Sequence, residues 1–432
     1  MFNKIKGTRD LNPQEMSVYE LIRNVFISSS HNYNFNLIDT PIIEPSELYR
    51  RSVASSDIVK KEMYEFVDKG DRKIALRPEG TAGFVRALVE NKWYATLKNN
   101  KFAYFGPMFR YERPQKGRQR QFYQAGVEVI SDENAYTDAE LIILASQILT
   151  ILDLPYTLKI NSIGTMEERE KYQKNLREYF SNYKEQLTEI SLDRLENNVL
   201  RILDDRNENF KPFVKNAPKI TPFLSEKSKK YFDDVLKILK ENDIKYEIDT
   251  NLVRGLDYYD NVVFEFVSTA DEAGTQATLI AGGRYSNLVS ELGGPNTSAA
   301  GWGFGVDRSA ELILDKKSNY DAESIDILMA STSEDKMPKM FSLANELRSL
   351  NIRTEFVKNP LKSKKIFEKA EKNNAKFVIF DDPAKENLFL VKSLESGDKI
   401  YFAYNEDGYM DLLDFLADNG LEKLNQIEIE EE

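Results

Sequence analysis

Between residues 108 and 121 the chain sets Arg110, Arg113, Lys116, Arg118 and Arg120 against a single acid, Glu112. A guanidinium is planar and presents paired N–H donors, so arginines converging from a loop between two strands can bind phosphate oxygens bidentately. Glu112, close behind Arg110, suits an adenine amino group. A solvated basic hairpin is the plainer alternative. The order Phe109-Arg110-Tyr111-Glu112, followed by Lys116-Gly117-Arg118, argues against it. A second constellation is Leu76-Arg77-Pro78-Glu79-Gly80-Thr81, ahead of an apolar run through Phe84, Leu88 and Val89. A carboxylate beside a glycine at a helix start can accept bonds from an ammonium group, and the glycine lets backbone approach a ligand. The ordinary alternative is a helix start capped by Thr81, with Glu79 favouring the dipole. The third comprises Arg254-Gly255-Leu256-Asp257-Tyr258-Tyr259, Ala281-Gly282-Gly283-Arg284-Tyr285 and Gly301-Trp302-Gly303-Phe304-Gly305-Val306-Asp307-Arg308. Two tyrosines beside an arginine, with Glu128 on a neighbouring strand, offer hydrogen bonds to a planar polar side chain. The glycine run would let backbone lie flat against a nucleotide, with Arg308 reaching its γ-phosphate. Taken singly, a Tyr-Tyr pair is ordinary packing and a glycine triplet a weak nucleotide signal.

The elements that must carry these groups are readable in outline. Asn12 and Pro13 start a helix that runs to His31, with Met16, Leu21, Val25 and Phe26 at helical spacing. Residues 35–38, 102–105 and 121–130 read as strands, the last two flanking the basic loop. A helix is expected over Thr137–Leu152, with Thr137 and Glu140 as a capping box. From about 166 to 242 glycine disappears and Lys, Glu and Asn dominate, which predicts a mainly helical insertion. Strand texture returns at 245–248 and 262–267, and a helix follows from Asp307 to Leu314. The polar stretch Asp315–Tyr320 is a candidate boundary. Beyond it, strands at 325–329, 353–357 and 376–380 alternate with helices at 337–350 and 363–373, the pattern of a small α/β domain with an open sheet.

Composition narrows the chemistry. The 432 residues are 41% hydrophobic and 30% charged, enough for two to four packed units. A net charge of −12 excludes a uniformly basic nucleic-acid coat, although a local basic patch can still grip RNA phosphates. With no cysteine and a single histidine, His31, thiolate metal sites, disulfides and histidine general-base mechanisms fall away. The N-terminus lacks the apolar run of a signal peptide, and no stretch has the length of a membrane span. A cytoplasmic protein is expected, with no membrane partner.

Taken together, these segments resemble the histidyl-tRNA synthetases of bacterial type, from Lys6 to about Asn405. Lys6-Gly7-Thr8-Arg9-Asp10 opens the resemblance. A stretch around Pro41 is similar to the class II dimer motif, Arg110–Glu112 to the second class II motif and Gly301–Arg308 to the third. The resemblance implies an α+β catalytic core over residues 1–322, an antiparallel class II synthetase sheet flanked by helices with the helical insertion within it. A C-terminal α/β anticodon-binding domain over 323–432 would follow. It implies ATP-dependent ligation of L-histidine to tRNA(His) through a histidyl-adenylate, in a homodimer, with Mg2+ on the β- and γ-phosphates and no confident protein metal ligands. Residue by residue, Glu79, Thr81 and Gln124 would hold the α-amino group. Glu128 and Tyr259 would bracket the imidazole, with Tyr258 shaping the pocket. Arg110 would bind the α-phosphate, Glu112 the adenine and Arg308 the γ-phosphate. Arg254 would stabilise charge developing as the histidine carboxylate attacks. Gln115, Lys116, Arg118 and Arg120 would meet the acceptor end of tRNA. The departures are Tyr111 and Tyr123 where histidine is frequent, Asp307 for glutamate, a bulky Trp302, and no glycine-rich turn at Asp381–Lys385. Two other classes compete. One is a non-catalytic paralogue serving as a regulatory subunit in histidine biosynthesis, which lacks the Arg-Gly-Leu-Asp-Tyr-Tyr segment and the last domain. The other is a sensor of uncharged tRNA, which carries a kinase-like part absent from this sequence.

Overall fold

The computed structural model describes residues 2–52, 58–115, 117–203, 205, 207–253, 258–271, 278–316 and 324–421. The chain divides into two compact units, Met1–Ser318 and Asn319–Glu432. The expected boundary at 322/323 lies outside the described residues.

Unit 1 opens with α1 (Pro13–Asn32). Asn12 accepts from the Glu15 amide at 2.9 Å, and the Glu15 carboxylate accepts from the Asn12 amide at 2.8 Å, a reciprocal cap that satisfies two orphan donors. Its buried stripe is Val18, Ile22 and Phe26, spaced i, i+4, i+8. Met16 and Leu21, also apolar, face outward and are 40% and 37% exposed. Next come β1 (Asn36–Leu37), β2 (Ile43–Pro45), α2 (Ser46–Ser52), β3 (Glu65–Val67), β4 (Lys73–Leu76), α3 (Thr81–Glu90) and α4 (Trp93–Thr96). Strands β2, β4 and β3 form a small sheet in that order. The Arg77 side chain, buried just past β4, donates to the Thr40 carbonyl at 2.6 Å and the Pro107 carbonyl at 2.9 Å. It thereby ties this sheet to the main one.

The main sheet has eight strands among the described residues. They are β1, β5 (Lys101–Phe109), β6 (Gln121–Ile130), β7 (Tyr156–Ser162), β8 (Glu247–Ile248), β9 (Asp260–Ser268), β10 (Thr278–Tyr285) and β11 (Ala299–Gly305). Their spatial order is β1-β5-β6-β11-β10-β9-β7-β8. Pairing is antiparallel except at the two edges, where β1 runs parallel to β5 and β8 parallel to β7. Between the strands lies α5 (Ala135–Ile151), which starts one turn earlier than the sequence suggested. Asn134, not Thr137, is its cap, because the Asn134 side chain accepts from the Tyr136 amide at 2.9 Å. The expected insertion is helical. It holds α6 (Met166–Ser181), α7 (Glu189–Asn197), α8 (Leu200–Leu203), α9 (Pro212–Lys215) and α10 (Glu226–Glu241). Their apolar faces, Leu176, Phe180, Leu195, Ile202 and Val214 among them, are continuous with a core reaching Phe84, Leu88 and Tyr285. Two further helices, α11 (Leu288–Glu291) and α12 (Val306–Lys316), flank β11.

Unit 2 contains β12 (Ile327–Ala330), α13 (Met337–Ser349), β13 (Thr354–Phe356), α14 (Ser363–Lys372) and β14 (Phe377–Asp381), close to expectation. It continues with β15 (Leu388–Ser393), β16 (Lys399–Ala403) and α15 (Glu406–Asp418), which the sequence reading did not anticipate. The sheet order is β13-β12-β14-β15-β16, parallel on the first side and antiparallel from β14 to β16. Ile327, Met329, Phe377 and Ile379 face one core, and Leu328, Ala330, Val378 and Phe380 the other, so the central strands are buried on both faces.

Candidate active site

The site is built on β6 and β11, and alternation along these strands explains its shape. Gly301 pairs with Glu128, Gly303 with Gly126 and Gly305 with Gln124. Residues two apart share a face, so the three glycines leave a trough in which Gln124 and Glu128 lie. A Cβ on Gly303 would collide with the Gln124 amide, and one on Gly301 with the Glu128 carboxylate. Gly80 and Gly126 do the same for Tyr104, whose ring fills the space their side chains would occupy.

At one end of the trough is a wholly buried polar cluster. Thr81 donates from Oγ1 to Glu128 Oε1 at 2.7 Å, and Tyr285 donates from its hydroxyl to Glu128 Oε2 at 2.7 Å. The Tyr104 hydroxyl lies 3.4 Å from Oε1. Burial, opposed by the Tyr285 and Thr81 hydroxyls, pushes the Glu128 carboxyl up to about 8. Glu79 accepts from the amides of Thr81 at 2.7 Å and Ala82 at 2.8 Å, so its carboxylate, and not Thr81, caps α3. Burial raises the Glu79 carboxyl above its usual range, against those two N–H groups and the charge of Arg110. The Tyr258 ring lies 4.7 Å from that of Tyr259, tilted, and 5.5 Å from that of Tyr285, edge-on, measured between ring centres. The Tyr258 hydroxyl and Gln124 Oε1 are buried with no hydrogen-bond partner among the described residues. Unpaired buried polar atoms are costly, and a polar ligand reaching either would satisfy it.

The other end opens into a cavity of about 190 Å3 lined by Arg110, Glu112, Arg118, Gln124, Arg308 and the glycines of β11. Arg110 donates to the Pro78 carbonyl at 2.8 Å and lies 5.2 Å over the Phe122 ring. This links the cavity to the segment bearing Glu79. Arg118 lies 3.1 Å from Glu112, and Arg110 3.9 Å. Arg308 donates to the Thr278 carbonyl at 2.8 Å and the Gly117 carbonyl at 3.2 Å. Burial first, then the like charges of Arg118 and Arg110, hold its guanidinium below the usual range. Cations crowded in this way gain most from an anion placed among them.

Of the residues singled out by sequence, the structure brings Glu79, Thr81, Glu128, Tyr258 and Tyr259 toward one end, while Gln124 lines the cavity. Arg110, Glu112 and Arg308 gather at the other. Arg254 and Lys116 lie outside the described residues. Gln115 and Arg118 exchange backbone hydrogen bonds, and the Arg118 side chain, still 39% exposed, lines the cavity beside Glu112. Arg120 stacks on Tyr111 with its guanidinium 4.0 Å from the ring centre, and its amide donates to the Gly7 carbonyl at 2.7 Å. Asp307 is a structural tie. It accepts from Tyr19 at 2.8 Å, from Arg9 at 3.2 Å and from the Tyr123 amide at 2.5 Å, so the N-terminal segment, β6 and the start of α12 meet on one carboxylate. Trp302 faces the core and donates from its indole nitrogen to the Leu141 carbonyl at 2.9 Å. The sequence reading gave no role to Tyr104 or Tyr285. The alternating glycines of β11 were the available signal for a trough on that face.

Comparison with known proteins places this arrangement. A family model described as histidyl-tRNA synthetase matches residues 7–308. The histidine--tRNA ligase of Mycoplasmopsis pulmonis is 45% identical over 383 residues, covering 88% of this chain and 90% of that one. That of Mesomycoplasma hyopneumoniae is 41% identical, covering 93% and 94%. Among solved structures, the apo histidyl-tRNA synthetase of S. aureus superposes with a TM-score of 0.79 at 32% identity, covering 96% of this chain and all of that one. A Bacillus halodurans protein described as an ATP phosphoribosyltransferase regulatory subunit/histidyl-tRNA synthetase shares the fold, with a TM-score of 0.63 at 20% identity. With its class II synthetase fold, the chain belongs to the histidyl-tRNA synthetase family.

Proposed function

We propose that the chain activates L-histidine with ATP to histidyl-adenylate and pyrophosphate and then transfers the histidyl group to tRNA(His). The observation that carries this reading is the junction of two unlike environments. A buried carboxylate, Glu128, held by two hydroxyls, sits at one end of a glycine trough, and a three-arginine cavity at the other. Glu128 and Tyr259 would take the imidazole, while Glu79 and Gln124 would take the ammonium group. Thr81, expected at the ammonium group, spends its hydroxyl on Glu128. Its contribution there is to orient the acid. Arg110 and Arg118 would clamp phosphates beside Glu112, and Arg308 the far phosphate. Arg254 keeps its proposed role on the developing charge. A carboxylate nucleophile needs no protein base, so catalysis would rest on positioning and on cations fixed before the reaction begins.

Magnesium, when bound, would neutralise charge on the β- and γ-phosphates. No group of three or more potential ligand side chains is assembled among the described residues. The donor set therefore fits an ion carried in on the nucleotide, with Glu265 as the adjoining carboxylate. Its Oε2 lies 3.2 Å from Thr278 Oγ1, and its charge is felt by Arg308.

Residues 1–322 would be the catalytic core and 323–432 the anticodon-binding domain. In that domain Lys362, Lys364 and Lys365 gather at the start of α14. The hairpin with Gln115, Lys116, Arg118 and Arg120 would meet the tRNA acceptor end. Homodimerisation is supported by the exposed apolar residues Met16 and Leu21 of α1 and by Leu37, Ile42 and Ile43 beside the edge strand β1. No described helix is long and apolar enough to cross a membrane. The regulatory-subunit reading is not favoured, since Tyr258, Tyr259 and a second α/β unit are all present. Histidine-dependent exchange of pyrophosphate into ATP tests the proposal, and its absence in the folded protein refutes it.

A further inference from the structure

Tyr285 closes the Ala281–Tyr285 segment, and the reading above leaves it without a role. It is 1% exposed, and its hydroxyl donates to Glu128 Oε2 at 2.7 Å, while Thr81 donates to the other oxygen at the same distance. Its neighbour Arg284 points to the opposite face of β10, as strand alternation requires, and is fully buried. Arg284 is pinned there by Asp138 at 2.6 Å, the Ser298 hydroxyl at 2.9 Å and the Ser131 carbonyl at 3.0 Å. The end of β10 is thus held by a buried ion pair on one face, and this fixes where the Tyr285 hydroxyl stands on the other.

We propose that Tyr285 is a positioning residue for side-chain recognition, holding Glu128 so that the lone pairs left on its carboxylate face the substrate's ring N–H. The proposal rests on the reading that Glu128 meets the imidazole. A carboxylate oxygen offers about two acceptor directions. With one taken on each oxygen by a fixed hydroxyl, the remaining directions are set by the protein before any ligand enters. A buried acid without such donors takes up a proton and presents an O–H where the ring N–H needs an acceptor. The two hydroxyls oppose this, and burial still raises the Glu128 carboxyl. Losing one donor therefore moves Glu128 further toward the neutral form and demands a higher pH for histidine binding. Tyr104, at 3.4 Å, is too distant for a strong bond and serves as a comparison on the same carboxylate.

The test compares full-length Tyr285→Phe, Thr81→Val, Tyr104→Phe and Glu128→Gln. It measures histidine and ATP KM by pyrophosphate exchange and the histidine Kd across pH 6–9.5. Tyr285→Phe should raise the histidine KM roughly tenfold or more with the ATP KM unchanged, the scale expected for one bond to a charged group. Its affinity-against-pH limb should move to higher pH. Thr81→Val should move the limb in the same direction, and it carries the test if Tyr285→Phe does not fold. Tyr104→Phe should change either value less. A wild-type histidine KM and pH limb in Tyr285→Phe, with the histidine KM raised in Glu128→Gln, would overturn the role of Tyr285 alone. An unchanged histidine KM in Glu128→Gln would overturn the imidazole reading and this inference with it. Equal rises in both KM values for Tyr285→Phe would show general loosening and would also overturn it.

Discussion

Replacing Gly301 by alanine probes the site with a single methyl. On the observed backbone the added Cβ would stand 2.8 Å from Glu128 Cδ, and closer still to Glu128 Oε2 and the Val127 carbonyl. Ordinary contact begins at about 3.4 Å, so the carboxylate must retreat by roughly an ångström even if the strands hold still. The strands have little room to yield, because Gly301 sits between β6 and β10 and is in register with both Glu128 and Gly283. A retreat of that size lengthens the 2.7 Å bond from Tyr285 beyond hydrogen-bonding range. Loss of one bond to a charged group costs about 1.5–3 kcal/mol, or roughly 10- to 150-fold in an equilibrium constant. The histidine KM in pyrophosphate exchange should therefore rise by at least tenfold. The ATP KM should stay within about twofold, since the arginine cavity lies at the other end of the trough. Circular dichroism and the thermal midpoint separate a folded variant from an unfolded one. A folded Gly301→Ala protein with the wild-type histidine KM would refute the argument that glycine here makes room for Glu128.

Glu128 also ties stability to pH. Its folded-state carboxyl is raised to about 8, so the native state holds its proton more tightly than the unfolded chain. That contribution is fully present below the unfolded value near 4.5 and is lost as pH rises through 8. Glu128→Gln should therefore be more stable than the wild type at pH 8.5, on the order of 3 kcal/mol, with the advantage vanishing toward pH 5; denaturant melts at the two pH values decide it. Arg284→Met leaves the buried Asp138 with the Tyr231 hydroxyl but without its cationic partner, for which a loss of about 3–5 kcal/mol is expected in the same melts, and a loss below 1 kcal/mol would contradict the buried pair. Truncation after Ser318 should retain histidine-dependent pyrophosphate exchange while raising the tRNA KM for aminoacylation. An equal tRNA KM in the folded truncation would remove the anticodon role from unit 2.

Elements whose signals are local were legible in the sequence. The start of α1 followed from Asn12 and Pro13, within one turn of chain. The helical insertion followed from the disappearance of glycine. The class II segments around Arg110 and Gly301 pointed to the two walls of the trough. What escaped depended on partners far along the chain. Tyr104 sits in an apolar run, Phe102–Phe105, that reads as plain core, and only Gly80 and Gly126 on other elements reveal that its ring has a made-to-measure slot. The ion pair of Arg118 with Glu112 on the cavity wall depends on the backbone pairing of Gln115 with Arg118, a loop geometry that residue types do not encode. On α1 the exposed Met16 and Leu21 are as apolar as the buried Val18 and Ile22. Counting hydrophobes cannot distinguish a core stripe from an exposed one. The antiparallel half of the second sheet was missed because Leu388–Ser393 and Lys399–Ala403 lack the intervening helix that marked the earlier strands.

The order of the main sheet has a consequence for how the chain is made. β11 is the last of the eight strands to be synthesised, yet it lies in the middle, between β6 and β10. Until residue 305 has emerged, the nascent chain can build only two half-sheets, β1-β5-β6 and β10-β9-β7-β8, each ending in an unpaired edge. Open edges of this kind recruit other chains, and pairings between distant residues form slowly. A ribosome stalled with β11 still in its exit tunnel would hold a chain with both edges exposed and no trough, whereas one stalled far enough beyond residue 305 for β11 to emerge would hold a continuous sheet. Strand insertion and assembly of the active site are therefore one event, and chaperone dependence during synthesis should end as β11 docks.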